Sequence, residues 1–359
     1  MAVCVGLLAA AVVAGCSNID YFVPDVPTLQ AGYRAYGDSI THGYLLSDPL
    51  AQSYPALVAE YEGATFANNA LDGDQACDLA TRQIFPHQDS PTLASHPTYT
   101  VLIGTNDVDN NYIHPSYQTV FTLCHRAVLS WLAMPAEYKV LAGSKNVKAS
   151  GPAHLDTSNH WNAWTTAGKG ASISFSITTA SAGPIYAWPR IDDNSTATYT
   201  YALDGDEIGS LAVQTNPKIA TRNGSANSLS FLRIGNVPAG PHVVTFTQTS
   251  DGSNGVSVVG IGAPLGSALG QRPIVLAGTI PFQHRNPPLG YICSNTDPVC
   301  MAYVTIIKQD VALFAADGLD VRLFDTRKYM FGTAAEMSDY LHPNALGQKE
   351  LSHSVEAVW

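Results

Sequence analysis

The sequence predicts an α/β fold with a parallel sheet, interrupted in the middle of the chain by an all-β insert. Before about residue 140 and after about residue 268, short β-prone runs alternate with helical stretches, which is the pattern of a parallel sheet with helical crossovers. Between these limits the helical signal disappears, and alternating runs are joined by turns of Gly, Asn, Asp and Pro. The 359 residues are enough for two hydrophobic cores.

The individual elements follow from these runs. In the first α/β part we expect strands near 33–37, 65–69 and 99–103, and helices near 53–61 and 116–134. In the insert we expect antiparallel strands near 171–178, 198–203 and 242–248, arranged as a sandwich or jelly roll. After the insert we expect a strand at 272–280, a helix at 300–316, a strand at 320–324 and a helix at 345–358. The predicted divisions are a leader and linker (1–30), a first α/β part (31–140), the insert (141–268) and a second α/β part (269–359).

A serine stands where the first strand should give way to a helix. The β-prone run 33–36 ends at Gly37, which permits a close approach of backbone before Asp38 and Ser39. A hydroxyl at the carboxyl end of a strand lies in the crevice where open α/β sheets bind their ligands. Taken alone, a Gly-Asp-Ser tripeptide is equally typical of an ordinary turn.

Three later segments supply the groups that a nucleophilic serine needs. Asn106 follows an apolar strand that ends at Gly104, and Gly73 lies in a turn-forming stretch where a glycine can bring its N–H close to a ligand. Near the C-terminus, Asp339 precedes His342 by three residues, so that its carboxylate can hold the imidazole in one tautomer. The structural alternatives are that Asn106 caps a helix, and that Asp339 caps the helix expected to begin near His342.

The four segments occur in the order serine, glycine, asparagine, histidine, and in this they resemble the SGNH branch of the GDSL esterase and lipase family. The resemblance covers residues 31–140 and 270–359 and leaves out the middle of the chain. It implies a flavodoxin-like three-layer α/β/α hydrolase domain that uses neither a metal ion nor an organic cofactor. In one respect the chain differs: the second block of the family often has a further glycine shortly after its asparagine, and here that stretch reads Ala70-Leu71-Asp72.

The resemblance also implies a role for each residue. Ser39 is the nucleophile, His342 the base that takes its proton, and Asp339 the carboxylate that orients the imidazole. The backbone N–H groups of Ser39 and Gly73 and the side-chain amide of Asn106 form the oxyanion hole, which stabilises the negative charge that builds on the substrate carbonyl oxygen.

Further residues are candidates for contacts with the substrate. Asp38 and His42 stand beside the nucleophile in the sequence, although a histidine so close to the serine usually points elsewhere. The insert carries aromatic residues that could face the crevice and stack on sugars: Trp161, Trp164, Tyr186 and Trp188. The alternative is that these aromatic side chains belong to the core of a structural or dimerising module.

The sequence predicts no metal site. Its histidines lack the short spacing of metal ligands, and two acidic stretches, Asp107–Asn111 and Asp204–Glu207, do not complete a calcium-binding loop. We expect both stretches to be solvated turns. The formal net charge of -11, with no cluster of Lys and Arg, argues against nucleic acid as a partner.

The N-terminus predicts export from the cell. Residues 5–15 form an apolar run that is too short to span a membrane, and Val13-Ala14-Gly15-Cys16 resembles a bacterial lipobox in which Cys16 is lipidated. Residues 1–4 lack the Lys or Arg with which a signal normally starts. The expected product is a lipoprotein of the bacterial cell envelope; the alternatives are a secreted protein with an ordinary cleaved signal and a buried apolar helix.

The remaining cysteines agree with an oxidising compartment. Outside the leader there are four, an even number that permits three disulfide connectivities: Cys77, Cys124, Cys293 and Cys300. We pair Cys293 with Cys300, because Pro298 and the polar residues between them suit a closed turn, and Cys77 with Cys124 by consequence. Free thiols are the alternative.

Together these observations predict an exported serine esterase. A carbohydrate O-acetyl ester is the first substrate class, because relatives with extra β-sandwich modules often act on glycans and because the chain has no long apolar lid. A lipase or thioesterase for longer acyl chains, an O-acetyltransferase and a non-hydrolytic glycan-binding protein are the alternatives.

Overall fold

The computed structural model of this chain describes residues 32–84, 97–113, 116–157, 162–215, 219, 226–252, 254–264, 272–283 and 293–359. The expected leader with Cys16 lies outside the described residues, as does Trp161. In the described part, one parallel sheet is accompanied by two antiparallel sheets. The predicted combination of an α/β part and an all-β insert is therefore confirmed.

The strands are numbered along the chain. Those of the first α/β part are β1 (Tyr33–Gly37), β2 (Phe66–Asn68) and β3 (Thr98–Leu102). The antiparallel strands are β4 (Lys139–Leu141), β5 (Val147–Ser150), β6 (Ala153–Asp156), β7 (Ala163–Thr166), β8 (Ser172–Thr179), β9 (Gly183–Asp192), β10 (Thr198–Leu203), β11 (Asp206–Ala212), β12 (Asn227–Leu229), β13 (Leu232–Val237), β14 (Gly240–Gln248) and β15 (Ser257–Gly262). Those of the second α/β part are β16 (Ile274–Gly278) and β17 (Val321–Phe324).

The described α-helices all belong to the α/β part. They are α1 (Ser39–His42), α2 (Pro49–Gln52), α3 (Tyr54–Glu62), α4 (Ala76–Asp78), α5 (Thr105–Ile113), α6 (Gln118–Ala133), α7 (Pro298–Ala316) and α8 (Ala345–Glu356). A π-helical segment, Leu79–Ile84, continues α4, and 3₁₀ turns occur at Ala136–Tyr138 and Thr326–Lys328. Of the described helices, α7 is long and apolar enough to cross a membrane by length and composition alone, but it packs against α6 and β17.

The parallel sheet has the order β2-β1-β3-β16-β17. Every neighbouring pair in it is parallel, so the carboxyl ends of all five strands lie along one edge. Counting only these five strands along the chain, the order is 2-1-3-4-5, one of the two common orders of doubly wound sheets. The antiparallel strands, which run from Lys139 to Gly262, enter the chain between the third and fourth of them.

Helices cover both faces of the parallel sheet because its buried side chains alternate. Tyr33 and Ala35 of β1 belong to the cluster that packs under α3 and α8, whereas Tyr36 faces the opposite cluster, formed with α6 and α7. In β16, Leu276 belongs to the cluster under α3 and α8, and its neighbour Val275 belongs to the cluster formed with α6 and α7. Successive side chains of a strand point to opposite faces, so near-continuous apolar runs are what a sheet buried on both sides requires.

The antiparallel strands form two sheets with a core between them. The orders are β11-β10-β14-β8-β5 and β12-β9-β15-β7-β6, with β13 also pairing with β9 and β4 with β15. Strand β8 alternates between buried and more exposed residues, and its buried Phe175 meets Phe246 of β14 in an edge-to-face contact with ring centroids 6.3 Å apart. Turns join these strands, as at Asp204 between β10 and β11, which is exposed as predicted.

The insert packs directly on the helical layer through two of its aromatic residues. The Trp188 indole is fully buried, donates its Nε1–H to Ser130 Oγ at 3.0 Å and meets Trp131 of α6 edge to face. The Tyr186 hydroxyl, on an equally buried side chain, donates to Asp317. The expectation that Tyr186 and Trp188 face a ligand is therefore wrong, because both lie inside the interface between the insert and the α/β part.

Trp164 is the remaining aromatic candidate in the described insert. It lies on β7, is partly buried, and packs against the core between the two antiparallel sheets.

Both predicted disulfides are present. Cys77 in α4 is bonded to Cys124 in α6, with their Cα atoms 5.0 Å apart, and Cys293 is bonded to Cys300 at the start of α7, with Cα atoms 5.3 Å apart. The first bridge ties the segment after β2 to the helix that carries the insert interface.

Replacement of Trp188 tests the interface. Trp188→Ala should lower the free energy of unfolding by about 3–5 kcal/mol. The substitution removes a fully buried side chain and leaves a cavity that its neighbours fill only in part. Trp188→Phe should cost less, since it keeps most of the packing and loses the hydrogen bond to Ser130. Urea unfolding under non-reducing conditions measures both, with Tyr61→Ala, at a 70% exposed position, as the control. Equal, small effects for all three variants would show that the interface contributes little.

Candidate active site

The nucleophile candidate lies at the junction of β1 and α1. A Cβ atom at Gly37 would collide with the Leu102 carbonyl oxygen of β3 and with the Thr41 hydroxyl, so this position requires glycine. Asp38 then caps α1 by accepting a hydrogen bond from the Ile40 N–H at 3.0 Å. Ser39 is thereby the first residue of α1, at the carboxyl edge of the parallel sheet, with 8% of its surface exposed.

The structure brings Ser39, His342 and Asp339 together. Ser39 Oγ lies 3.0 Å from His342 Nε2, and His342 Nδ1 lies 2.8 Å from Asp339 Oδ2. The serine and the histidine are 303 residues apart in the chain. A nucleophile, a base and an orienting carboxylate therefore form one hydrogen-bonded series, which is the arrangement that activates a serine hydroxyl.

Asp339 holds the histidine through its backbone as well as its ring. Its Oδ1 accepts from the N–H groups of Leu341 at 2.7 Å and His342 at 2.6 Å. Helix α8 has its own cap, since Asn344 accepts from the first free N–H groups of that helix. The alternative that Asp339 caps the closing helix is therefore wrong, because its carboxylate fixes the turn that carries His342.

The charge on Asp339 follows from these contacts. Partial burial by itself would raise its pKa, but the hydrogen bonds from the His342 ring and from the His342 and Leu341 N–H groups outweigh this and hold the pKa below its usual range. An ionised carboxylate accepts only, so it favours the tautomer with hydrogen on Nδ1. His342 Nε2 is then free to accept the proton of Ser39.

The backbone N–H groups of Ser39 and Gly73 are the two expected oxyanion donors. Gly73 is buried and has φ 77°, in the left-handed region that favours glycine. Its loop is anchored to β1, since Asn69 N–H donates to the Ala35 carbonyl at 2.8 Å and Leu71 N–H to the Gly37 carbonyl at 3.2 Å. Among the described residues, none accepts a hydrogen bond from the N–H of Gly73 or of Ser39. These are donors of the kind that an oxyanion hole needs.

Asn106 reaches the same loop. It lies in the first turn of α5, after Gly104 with φ 124°, and its Nδ2 donates to the Asp74 carbonyl oxygen at 2.9 Å. Because its side chain donates to the loop rather than accepting from the helix N-terminus, Asn106 does not cap α5. An amide has two N–H groups, so one remains for a substrate oxygen.

A group of buried carboxylates surrounds the loop. Asp107 is fully buried within α5 and accepts from the Ala76 N–H at 3.1 Å, so the expectation of a solvated turn at Asp107–Asn111 is wrong. Burial raises the pKa of Asp38 to about 7, that of Asp74 to about 8, and that of Asp107 well above its usual range, and neighbouring carboxylates add to each shift. Asp107 follows Asn106 directly and Asp74 follows Gly73, so this adjacency is the sequence signal that could have identified the two carboxylates.

Gln83 is a residue of the site that the sequence did not reveal. It is 2% exposed and holds both polar backbone atoms of Gly37: the Gly37 N–H donates to Gln83 Oε1 at 3.2 Å, and Gln83 Nε2 donates to the Gly37 carbonyl at 2.8 Å. The same Nε2 donates to Asp74 Oδ2 at 2.7 Å. A glutamine in a π-helical segment, with no motif around it, carries no signal that could have identified this role.

Tyr44 is a second residue that the sequence did not reveal. Its ring lies against the His342 imidazole, with centroids 4.8 Å apart, and it is 44% exposed. His42 and Asp38, the candidate substrate contacts, lie near Ser39, but each bonds elsewhere: His42 to Asp72 at 2.7 Å and Asp38 to its own helix. Within the described residues, no group of His, Cys, Asp or Glu could hold a metal ion.

The chain shows partial likeness to solved structures. A two-domain esterase active on acetylated mannans shares 15% identity over 66% of this chain and 92% of that chain, with a TM-score of 0.36. A family 35 carbohydrate-binding module from an environmental isolate shares 17% identity over 34% of this chain and 90% of its own, with a TM-score of 0.27. A family 35 carbohydrate-binding module from Clostridium thermocellum shares 12% identity over 34% of this chain and 95% of its own, with a TM-score of 0.28.

No family model matches the chain, and no curated protein matches it. The identities and TM-scores above are too low to assign an activity, so the chemistry of this site rests on its own geometry.

The raised pKa of Asp38 gives a pH-dependent contribution to stability. Between its usual value of 3.8 and about 7, the folded protein keeps a proton that the unfolded chain has released, so the free energy of unfolding falls as the pH rises. Asp38→Asn keeps the acceptor for the Ile40 N–H and removes this titration. The wild type should therefore lose at most about 4 kcal/mol relative to Asp38→Asn between pH 4 and pH 8.

Urea unfolding at several pH values measures this difference. Asp48→Asn, at an exposed position beside α2, controls for the change in net charge. If the difference in stability between wild type and Asp38→Asn stays constant over this range, Asp38 does not carry a buried proton.

Proposed function

We propose that this protein is a serine esterase of the SGNH type, with Ser39 as nucleophile, His342 as base and Asp339 as its orienting acid. The observation that carries the proposal is the series Ser39 Oγ, His342 Nε2, His342 Nδ1, Asp339 Oδ2, with hydrogen-bond distances of 3.0 and 2.8 Å, beside free N–H donors. The order of the parallel strands, 2-1-3-4-5, supports the flavodoxin-like fold that the resemblance implies.

Acylation begins with attack of Ser39 Oγ on the ester carbonyl carbon. As the C–O bond forms, the hydroxyl proton passes to His342 Nε2, and the electron pair of the carbonyl moves to its oxygen. The N–H groups of Ser39 and Gly73 and the amide of Asn106 stabilise that oxyanion. The bond to the alcohol then breaks, and the alcohol leaves with the proton from Nε2. Asp339 stabilises the imidazolium in between.

Deacylation repeats these steps with water. His342 Nε2 takes a proton from a water molecule as its oxygen attacks the acyl carbon of the ester on Ser39. The same three donors stabilise the second oxyanion, and collapse of this intermediate breaks the bond to Ser39 Oγ, which recovers its proton from Nε2. Release of the carboxylic acid restores the free enzyme.

For the substrate we propose a short-acyl ester of a carbohydrate, with an O-acetyl group as the first choice. The family resemblance and the large antiparallel insert support this, as does the predicted absence of a long apolar lid. The two disulfides fit an oxidising compartment, and with the resemblance of residues 13–16 to a lipobox they support an exported, envelope-anchored protein. The proposed partners are accordingly an acetylated glycan and, through the lipid anchor alone, the membrane.

One observation favours a second candidate, a lipase or thioesterase for longer acyl chains. Tyr44, which packs on His342, and Leu45 are 44% and 51% exposed. Leu45 has φ 69°, a left-handed conformation that costs a non-glycine residue on the order of 1–3 kcal/mol. The exposed Tyr44 ring on His342, with Leu45 next to it in the chain, could line the path of an acyl chain.

A series of p-nitrophenyl esters from acetyl to dodecanoyl tests the function. The wild type should hydrolyse the shortest acyl groups, and Ser39→Ala should reduce kcat by about 10⁴-fold or more, because the residual site can only bind and polarise the ester. Ser47→Ala, an exposed serine eight residues later, is the control and should keep full activity.

Each other result has a definite meaning. Full activity of Ser39→Ala would overturn the nucleophile. An optimum at long acyl chains would favour the lipase candidate. If the wild type does not hydrolyse any ester of the series, an O-acetyltransferase or a glycan-binding protein replaces the esterase, and acetyl transfer to an added sugar separates these two.

Replacement of Asn106 tests the oxyanion hole. Asn106→Ala should lower kcat by about 100- to 1000-fold with little change in KM, because the amide acts on charge that develops only in the transition state. Asn146→Ala, at an exposed asparagine of the insert, is the control. Steady-state kinetics with the acetyl ester measure both, and unchanged kcat in Asn106→Ala would remove Asn106 from the site.

A further inference from the structure

A second imidazole–carboxylate pair lies at the rim of the proposed active site. His42 is the last residue of α1, three positions after Ser39, and residues so spaced lie on one face of a helix. Its Nδ1 is 2.7 Å from Asp72 Oδ1. The side chains of His42 and Asp72 are 44% and 35% exposed, so the pair is open to solvent.

The pair connects helix α1, which carries Ser39, with the loop that carries Gly73. Its histidine belongs to the helix of the nucleophile, and Asp72 directly precedes Gly73, whose N–H is a proposed oxyanion donor. A second bond joins the same two segments, since Asn68 Nδ2 donates to the Thr41 carbonyl at 2.9 Å. The C-terminal half of α1 is thus bonded to the loop at two points, one on either side of residues 69–71.

The contact with Asp72 favours the charged form of the His42 imidazole. The hydrogen bond to Asp72 raises the pKa of His42, and this outweighs the opposite effect of partial burial. His42 is not a competing base, because the hydrogen bond to Ser39 Oγ is made by His342.

We propose that His42 and Asp72 are positioning residues, whose bond fixes the distance between the Ser39 nucleophile and the Gly73 oxyanion donor. This inference rests on the proposed serine-esterase function. The pair does not touch the reacting atoms. It acts by holding the 72–74 turn against α1, so that the Gly73 N–H points to where the carbonyl oxygen of the substrate becomes an oxyanion.

A small displacement of this loop is costly for catalysis. The Gly73 turn is otherwise anchored through residues on its two sides. Leu71 N–H donates to the Gly37 carbonyl, and Asp74 accepts hydrogen bonds from Asn106 at its carbonyl and from Gln83 and Arg82 at its carboxylate. The turn itself, at Asp72 and Gly73, is held to α1 through His42. Displacement of a catalytic group by 1 Å can reduce the rate about 100-fold, because the donor no longer matches the transition state. Ground-state binding of the ester depends far less on this donor, so the loss should appear in kcat.

Four variants, assayed with p-nitrophenyl acetate, test the inference. His42→Leu and Asp72→Ala should each lower kcat by about 10- to 100-fold and leave KM within about twofold. His42→Asn should recover most of kcat, since its amide N–H can replace the Nδ1 donor. The double variant His42→Leu/Asp72→Ala should be no worse than either single variant, because both remove the same bond.

His353 provides a matched control. It is 39% exposed and pairs with Glu350 on α8, so His353→Leu removes a similar surface histidine and should not change kcat. A thermal unfolding midpoint for each variant shows that the fold is kept. If His42→Leu does not fold, the comparison of His42→Asn with Asp72→Ala still decides, because the first keeps the bond and the second removes it.

The outcomes separate this inference from the proposed function. If Ser39→Ala is inactive while His42→Leu and Asp72→Ala keep wild-type kcat, the positioning role is overturned and the esterase stands. A rise in KM at unchanged kcat would also overturn it, since it would make the pair a substrate contact. Additive losses in the double variant would show that the two residues act separately. Activity in Ser39→Ala would instead overturn the esterase itself.

Discussion

The candidate active site depends on the backbone of one residue, Gly37. Its missing side chain lets β1 lie against the Leu102 carbonyl of β3, and its N–H and carbonyl are both bonded to Gln83. The same carbonyl accepts a hydrogen bond from the Leu71 N–H, so the loop that carries Gly73 is bonded to the last residue of β1, two positions before Ser39. The positions of the nucleophile and of the oxyanion donors therefore both depend on Gly37, and a side chain at this residue would displace both.

Three carboxyl groups are buried around Gly37 and the Gly73 loop, where burial disfavours their charged form. Asp38, Asp74 and Asp107 are buried, and burial raises the pKa of each. Their oxygens bind loop and helix N–H groups or Gln83, so the carboxylates act as rigid braces for a site made mostly of loops. Buried polar groups that are hydrogen-bonded confine a structure to one arrangement, which is what a preformed oxyanion hole requires.

The insert belongs to the same folded unit. Trp188, Tyr186 and Leu229 of β12 share a core with α6 and α7, and Ser228 of β12 donates to the Cys77 carbonyl at 3.1 Å. Cys77 is bonded to Cys124 of α6. This disulfide therefore joins α4, which follows the Gly73 loop, to the helix on which the insert packs. A module attached in this way packs tightly against the helical layer of the α/β part, and Trp188 and Tyr186 serve that attachment.

The sequence alone determined the classes of element and the residues of the hydrogen-bonded series Ser39, His342 and Asp339, because both rest on local rules. Apolar runs and turn residues predicted the strands of both parts, and the short motifs around Ser39 and His342 carried the required side-chain chemistry. Only the tertiary structure decided which groups support them. Gln83, Tyr44 and the Asp72 partner of His42 gain their roles from contacts between distant segments. Whether Trp188 faces a ligand or the core was also open, because composition does not show which face of a strand is covered. Those outcomes depend on how the layers pack, which no local pattern contains.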